Sequence, residues 1–388
     1  MKILNLKVEG FRSLKSVDWS PGDLNVVIGP NAGGKSNLLQ LLEMIAASAR
    51  GKLSKFVKRQ GGIQALLWDG SAKSINITIK NEYIEDKVAI LYCLGFNRLG
   101  ITNSYQITAE LFSKIHIQKH EHKTSPIKSL KRVAGIPGIF GDSGKITAPE
   151  VSEQESLVSY GKYIGDQLLD EYQYHLESWK IYSEFNTGRD ASVRQAVVTS
   201  YETCVELDGQ NLVAVLHTLY EEDRDFKNEI DSAMRAAFGD DFEELSFPPA
   251  ADGRTQLRIR WKSLTTGQSA ANLSDGTLRF LYLLTILANP EPPALIAVDE
   301  PETGLHPSML SIIAEYAAEA ARKTQVIFTT HSAEMLNAFS ETQPTVTICE
   351  WHDGQTELRV LAGEKLDYWL GKYSLGELYR TGELENMK

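Results

Sequence analysis

Apolar and polar positions alternate from Lys2 to Val8 and stop at Glu9-Gly10, which predicts a first strand and a turn. Phe11 to Trp19 predicts a second short strand, closed by Pro21-Gly22. Leu24-Asn25-Val26-Val27-Ile28 is a compact apolar run, the profile of a strand buried on both faces. It leads straight into a glycine-rich stretch. Beyond that, Asn37 to Arg50 carries Leu38, Leu39, Leu41, Leu42 and Ile45 at helical spacing. Residues 75–79 alternate as an antiparallel strand, and Val88 to Leu94 and Tyr105 to Phe112 predict two more. Residues 113–150 are irregular and rich in Lys, His, Gly and Pro, which predicts a long loop or a partly ordered excursion. Residues 151–185 read as mostly helix, ended by Asn186-Thr187-Gly188-Arg189-Asp190.

The C-terminal half has a steadier rhythm. Leu212 to Tyr220 and the charged stretch 223–238 predict helices, and 256–262 a strand carrying Leu257, Ile259 and Trp261. Then follow an apolar helix over Leu278 to Leu287, a buried strand over Ala294 to Val298, a helix over Pro307 to Arg322 and a strand over Gln325 to Thr329. Thr345 to Glu350 and Glu357 to Leu361 predict a closing hairpin around Asp353-Gly354. Helices alternating with apolar strands predict an α/β protein with a mostly parallel sheet. No internal repeat is visible.

The 388 residues suffice for one large domain with an insertion or for two domains. Hydrophobic content of 42% and charged content of 23% are ordinary for a globular chain and exclude wholesale disorder or a fibrous repeat. The net charge of −11 excludes an all-over basic coat for nucleic acid and leaves room for a local patch. No run of eighteen apolar residues occurs, so no membrane span is expected. The N-terminus lacks the apolar core and cleavage site of a signal peptide. Cys93, Cys204 and Cys349 form neither a disulfide framework nor a zinc spacing, and a reducing cytoplasm is the expected compartment.

Four segments carry candidate chemistry. Gly29-Pro30-Asn31-Ala32-Gly33-Gly34-Lys35-Ser36, with Asn37 behind it, fits G-x-x-x-x-G-K-S/T at every position. Average residue usage gives such a match by chance at on the order of one per cent in a chain this long, and the flanking strand and helix lower that further. The glycines let successive N–H groups point at phosphate oxygens, and the helix adds its positive end. Lys35 supplies a charge to the outer phosphates and Ser36 a hydroxyl to Mg²⁺, so ATP and Mg²⁺ are the expected ligands. Leu295-Ile296-Ala297-Val298-Asp299-Glu300 is an apolar strand ending in two carboxylates. Asp299 is placed to hold the magnesium shell and Glu300 to polarise the attacking water. Asn272-Leu273-Ser274-Asp275-Gly276-Thr277 precedes an apolar helix, where Ser274 can cap and the free N–H groups form an anion site. Ile327-Phe328-Thr329-Thr330-His331-Ser332 puts His331 at a strand end, where an imidazole can hydrogen-bond a γ-phosphate.

In this order these segments resemble the ABC-type P-loop ATPase head shared by the RecF, SMC and OLD families, nearest the bacterial AAA-labelled, RecF-like group. The resemblance covers about residues 1–80 and 205–388. It implies a P-loop NTPase fold: an ABC-type head with a mixed sheet core, an antiparallel β subdomain and an inserted helical region. The expected domains are a discontinuous ATPase over 1–112 and 205–388 and an insertion over 113–204. The resemblance further implies that Leu273 to Thr277, Ser274 and Gly276 above all, is the signature motif reading the γ-phosphate on the other protomer. Pro301 to Pro307 would cross the dimer interface, and His331 would be the switch histidine. A homodimer closing on two nucleotides follows, with DNA or a separate, nuclease-like effector as further partner, in DNA repair or anti-phage defence. The signature reads Ser-Asp-Gly-Thr where transporters have Ser-Gly-Gly-Gln. The metal-contacting glutamine is hard to place, with Gln60 and Gln64 the candidates.

The insertion is too short, and lacks the heptads, for an SMC-type coiled coil. Too few residues follow His331 for an OLD-type nuclease domain. The basic run 114–132 (Lys114, Lys119, Lys123, Lys128, Lys131, Arg132) reads either as a phosphate-tracking patch or as a solvated loop. Two other functions fit the motifs less well: a nucleotide sensor that assembles without turnover, and a transporter ATPase subunit, which the signature Asp and the Pro-Glu-Thr-Gly-Leu-His-Pro segment oppose. Kinase and guanine-reading motifs are missing from the sequence.

Overall fold

A computed structural model of the chain describes residues 1–83, 88–100, 103–116, 129–133, 136–141, 144–146, 152–339, 342–361 and 372–386. The chain folds as two compact units, Met1–Trp179 with Thr345–Leu361, and Lys180–Pro344 with Ala362–Lys388.

In the first unit an antiparallel sheet runs in the order Leu14–Trp19, Ile3–Phe11, Ser74–Glu82, Val88–Arg98, Tyr105–His116, Ser129–Val133, Ile136–Gly141, Gly144–Ile146. The first turn falls at Arg12-Ser13, where Phe11 pairs with Leu14, and not at Glu9-Gly10 as the alternation predicts. Gly10 lies inside the strand. Its φ is +80° and an added Cβ would stand 2.3 Å from Ser74 O, so this glycine serves a close strand approach and not a turn.

The loop predicted over 113–150 is likewise corrected. The strand from Tyr105 runs on to His116, and three short antiparallel strands follow between 129 and 146. Gly and Pro at this sheet margin masked the strand signal. Most of the basic run, residues 117–128, lies outside the described residues. Arg132 does not belong to a surface patch. It is buried, it donates to Glu155 O at 2.9 Å, and its Nε is 4.0 Å from a Glu110 carboxylate oxygen. Glu110 also accepts from Ser156 Oγ (2.6 Å), Tyr92 OH (3.0 Å) and the Leu157 N–H (2.9 Å), and burial still pushes its carboxyl up.

The helical content of 151–185 is lower than predicted: short turns at Leu157–Tyr160 and Gly161–Ile164, then the helix Gln167–Glu177, capped by Asp166. His175 sits in that helix against Tyr172 and Trp179, whose Nε1 donates to it at 3.4 Å. Burial pushes its imidazole down from an ordinary 6.5 to about 3. A depressed folded value means that stability is full above the ordinary value and is lost as pH falls from 6.5 towards 3. We therefore expect His175→Gln to flatten the acid limb of a thermal-unfolding series, by up to about 1.4 kcal/mol per pH unit for one proton. Equal acid slopes in parent and variant would exclude this.

Every residue of the strand Leu24–Ile28 is buried. It pairs in parallel with Thr345–His352, which turns at Asp353-Gly354 into Gln355–Val360. Behind the strand, Lys35–Ala49 is a helix that buries Leu38, Leu39, Leu41, Leu42 and Ile45. Each such side chain contributes about 1.5–3 kcal/mol of burial as an upper figure, so the loop between strand and helix hangs between two firmly packed elements.

In the second unit Lys180–Tyr182, Leu295–Asp299 and Gln325–Thr330 run parallel, with Lys180 beside Ile296 and Asp299 beside Thr329. The helices Leu212–Glu222, Arg224–Phe238, Asp275–Leu287 and Pro307–Ala321 pack within the same unit. Asp223 caps the second of these, and Phe226, Ile230, Ala233 and Met234 form its buried stripe. Phe242–Ser246, Arg258–Trp261 and Gln268–Ser269 form a small antiparallel sheet. Each unit thus has parallel strands with packed helices, and the first adds an extensive antiparallel sheet, so the fold is α/β. Among the described residues no helix is long and apolar enough to cross a membrane.

Candidate nucleotide site

The loop Gly29 to Ser36 lies in the first unit. Gly29 (φ +153°) and Gly34 (φ +112°) take conformations that side chains resist, and a Cβ would lie 2.1 Å from Cys349 O at the first and 2.0 Å from Thr356 Oγ1 at the second. Ala32 also has a positive φ of 67°, an unusual state for a residue with a Cβ. Asn31, Ala32 and Ser36 are exposed, whereas Lys35 is buried. Lys35 Nζ donates to Gly29 O at 2.7 Å and Pro30 O at 3.1 Å, so the ammonium is held inside the curl of the loop.

Three residues that the motif does not contain brace this loop. Cys349 Sγ donates to Gly33 O at 3.2 Å, and Thr356 Oγ1 reaches the same carbonyl at 2.9 Å. Burial pushes the Cys349 thiol up to about 12, which keeps it a protonated donor. Ser13 Oγ accepts from Thr356 Oγ1 at 2.7 Å and from Asn37 Nδ2 at 2.6 Å, tying the first helical turn to the Arg12-Ser13 turn. Of the two candidate glutamines, Gln60 accepts from Arg12 Nη2 at 2.7 Å and Gln64 from Arg98 Nη2 at 3.2 Å.

The acids, the histidine and the Ser-Asp-Gly turn lie in the second unit. The parallel register sets Asp299 beside Thr329, and the Thr329 hydroxyl donates to Asp299 Oδ1. One residue further on, Glu300 has a φ of +47°. Its N–H is held by Thr329 O at 3.1 Å and Thr329 Oγ1 at 3.3 Å. A left-handed non-glycine residue costs on the order of 1–3 kcal/mol and persists where neighbours over-determine it. Here that neighbour is Thr329, and the conformation turns the Glu300 carboxylate towards His331, whose Nδ1 lies 2.9 Å from Glu300 Oε1. Glu302 is half-buried against Thr330, whose hydroxyl donates to it, and burial raises its carboxyl.

Ser274 caps the helix Asp275–Leu287: its Oγ accepts from Thr277 N at 3.1 Å. Gly276 is required by packing, since a Cβ there would stand 2.7 Å from Gly304 O. So Ser274 with Gly276 form one cluster with the Pro301 to Pro307 segment, and Asp299, Glu300 and His331 form another at the strand ends. Sequence reasoning missed Thr329 and Arg194. Arg194 lies far upstream, and its guanidinium grips the turn before Ser274. No local pattern announces Arg194, and Thr329 stands in the His331 segment without a role of its own.

Two family profiles match the chain. One described as "AAA ATPase domain" covers residues 1–134, and one described as "AAA domain, putative AbiEii toxin, Type IV TA system" covers residues 165–337. A DNA replication and repair protein RecF from Moorella thermoacetica is 35% identical over 113 residues, 29% of this chain and 29% of that protein. A urease accessory protein 2 from Cryptococcus neoformans is 25% identical over 199 residues, 49% of this chain and 16% of that protein. The matches therefore span less than a third of either relative's length. Among solved structures, an SMC head bound to the C-terminal winged-helix domain of ScpA aligns with a TM-score of 0.56 at 15% identity, covering 95% of this chain and all of that one. That likeness concerns the fold. The two AAA profiles and the RecF similarity agree in making this chain similar to RecF-like P-loop ATPases, and the SMC-head likeness adds the fold.

Proposed function

We propose that the chain binds and hydrolyses Mg-ATP as a homodimer that closes on two nucleotides, and that this cycle gates DNA or a separate effector protein. The observation that carries the reading is the over-determined Glu300. It is a carboxylate set in a left-handed backbone by Thr329, one residue past a buried acidic strand and 2.9 Å from His331.

In this reading the N–H groups of Gly29 to Ser36 and the start of the helix at Lys35 hold the β- and γ-phosphates. Asn31 and Ala32 lie within that cradle and Asn37 just behind it, and Lys35 neutralises the outer phosphates. The Ser36 hydroxyl and the Asp299 carboxylate are each hard oxygen donors of the kind Mg²⁺ takes. The bound ion would supply charge neutralisation on the phosphates. Glu300 orients the attacking water and accepts its proton, while His331 fixes the carboxylate and contacts the γ-phosphate. Ser274 and Gly276 read the γ-phosphate held by the other protomer. DNA as a partner draws support from the name of the RecF relative, and a protein effector from the toxin–antitoxin description of the second profile.

The test is ATP turnover by the purified chain with and without double- and single-stranded DNA. Turnover that rises with DNA supports DNA gating. Turnover indifferent to DNA moves the role to a protein effector. An inert chain under both conditions contradicts hydrolysis as its own activity.

A further inference from the structure

Asp275 raises a problem that the proposed function does not solve. A carboxylate at the first position of the helix stabilises the helix itself, but it repels a phosphate brought to the same N-terminus. The structure contains a matching cation. Arg194, at the end of the short turn Ser192–Arg194, is nearly buried, with a side-chain exposure of 10%, and Asp275 is 69% exposed.

Every nitrogen of the Arg194 guanidinium is engaged. Nε donates to Thr187 O at 2.7 Å. Nη1 donates to Leu273 O at 2.7 Å, with longer bonds to Ala270 O (3.1 Å) and Ala271 O (3.3 Å). Nη2 donates to Asp275 Oδ1 at 2.5 Å. The planar fork therefore grips the residue before Ser274 and the residue after it, and only a guanidinium can span both at fixed angles. The same group gathers the carbonyls that end the turn Ala270–Asn272, so their negative ends also face a cation.

We propose that Arg194 is the positioning residue of the Ser274–Gly276 turn. It fixes the direction of the Ser274 hydroxyl and cancels the Asp275 charge, so that the turn can accept a γ-phosphate presented by a second copy of the chain. This rests on the sandwich reading above and adds the residue that makes a Ser-Asp-Gly turn compatible with an anion. The role is geometric and electrostatic, and Arg194 touches no nucleotide.

The experiment compares ATP-dependent self-association in a Glu300→Gln background for the parent, Arg194→Ala, Arg194→Lys and Arg194→Ala with Asp275→Asn. A fluorescent ATP analogue reports binding by the monomer, and thermal melts report folding. The expected result is a self-association constant at least tenfold weaker in Arg194→Ala, with analogue binding unchanged. The defect should deepen at low salt, where repulsion by the unpaired Asp275 is less screened. Arg194→Lys should recover part of it through charge. The double variant should also recover part, because removing the carboxylate removes the repulsion.

A folded Arg194→Ala that associates like its parent overturns the assignment alone. A double variant no better than Arg194→Ala overturns the charge-cancelling role. A parent that never associates with ATP overturns the sandwich reading and this assignment together. An Arg194→Ala that fails to fold shifts the decision to Arg194→Lys, in which full parental association counts against the fork and partial association supports it.

Discussion

Lys35→Ala is expected to abolish nucleotide capture. The Lys35 ammonium is buried and already held by two loop carbonyls, so its place inside the curl is fixed before any phosphate arrives. Alanine removes two things at once: the charge for the outer phosphates and the internal tie across the loop. Hydrogen bonds to charged groups are worth about 1.5–3 kcal/mol each, so two lost phosphate contacts correspond to a drop in ATP affinity of about 100-fold or more. Titration with a fluorescent ATP analogue reads this directly. The helix behind the loop is held by its own apolar face, so the melting temperature should change little. An affinity within about threefold of the parent would remove the loop from the site.

Glu300→Gln is expected to have the second large effect, and of a different kind. Glutamine keeps the shape and can keep a hydrogen bond to His331, but it cannot accept the proton of a water. Loss of a positioned general base typically costs about 10²–10⁴-fold in turnover. Nucleotide affinity should hold, because the Thr329 contacts to the Glu300 N–H are made by the backbone and survive the change. A phosphate-release assay with parent and variant at saturating ATP decides it. Turnover within tenfold of the parent would move the water-activating role to another residue.

Some of this was legible in the sequence, and the reason differs by element. The strand Leu24–Ile28 is buried along its whole length, so its apolar run is continuous and the loop behind it stands out. The acidic end at Asp299 is clear for the same reason, because Leu295 to Val298 are all buried. The hairpin Thr345–His352 with Gln355–Val360 showed itself through Asp353-Gly354, with Asp353 at a φ of +47°. The strands between 129 and 146 stayed hidden because Gly and Pro at a sheet margin look like loop. Gly10 misled for the opposite reason: it reads as a turn but serves a close strand approach.

The supports of the site were illegible on different grounds. Thr356 reaches Ser13 across 343 positions, and Arg194 reaches Asp275 across 81. Contacts of that span leave no periodic trace in one sequence. The motif residues have a chemical signature, whereas their braces are ordinary serines, threonines and arginines whose role exists only after folding. Thr329 shows this well. As one residue of an apolar strand it looks unremarkable, yet it bonds Asp299 through its hydroxyl and the Glu300 N–H through its backbone carbonyl.

The most direct test of the central claim is the mass of Glu300→Gln in solution with Mg-ATP and with Mg-ADP. The chain is 43.2 kDa. A species of twice that mass is expected with Mg-ATP, reverting to the monomer with Mg-ADP and absent in Glu300→Gln that also carries Lys35→Ala. A particle of single-chain mass with Mg-ATP, under conditions where the analogue is bound, would contradict the ATP-closed dimer.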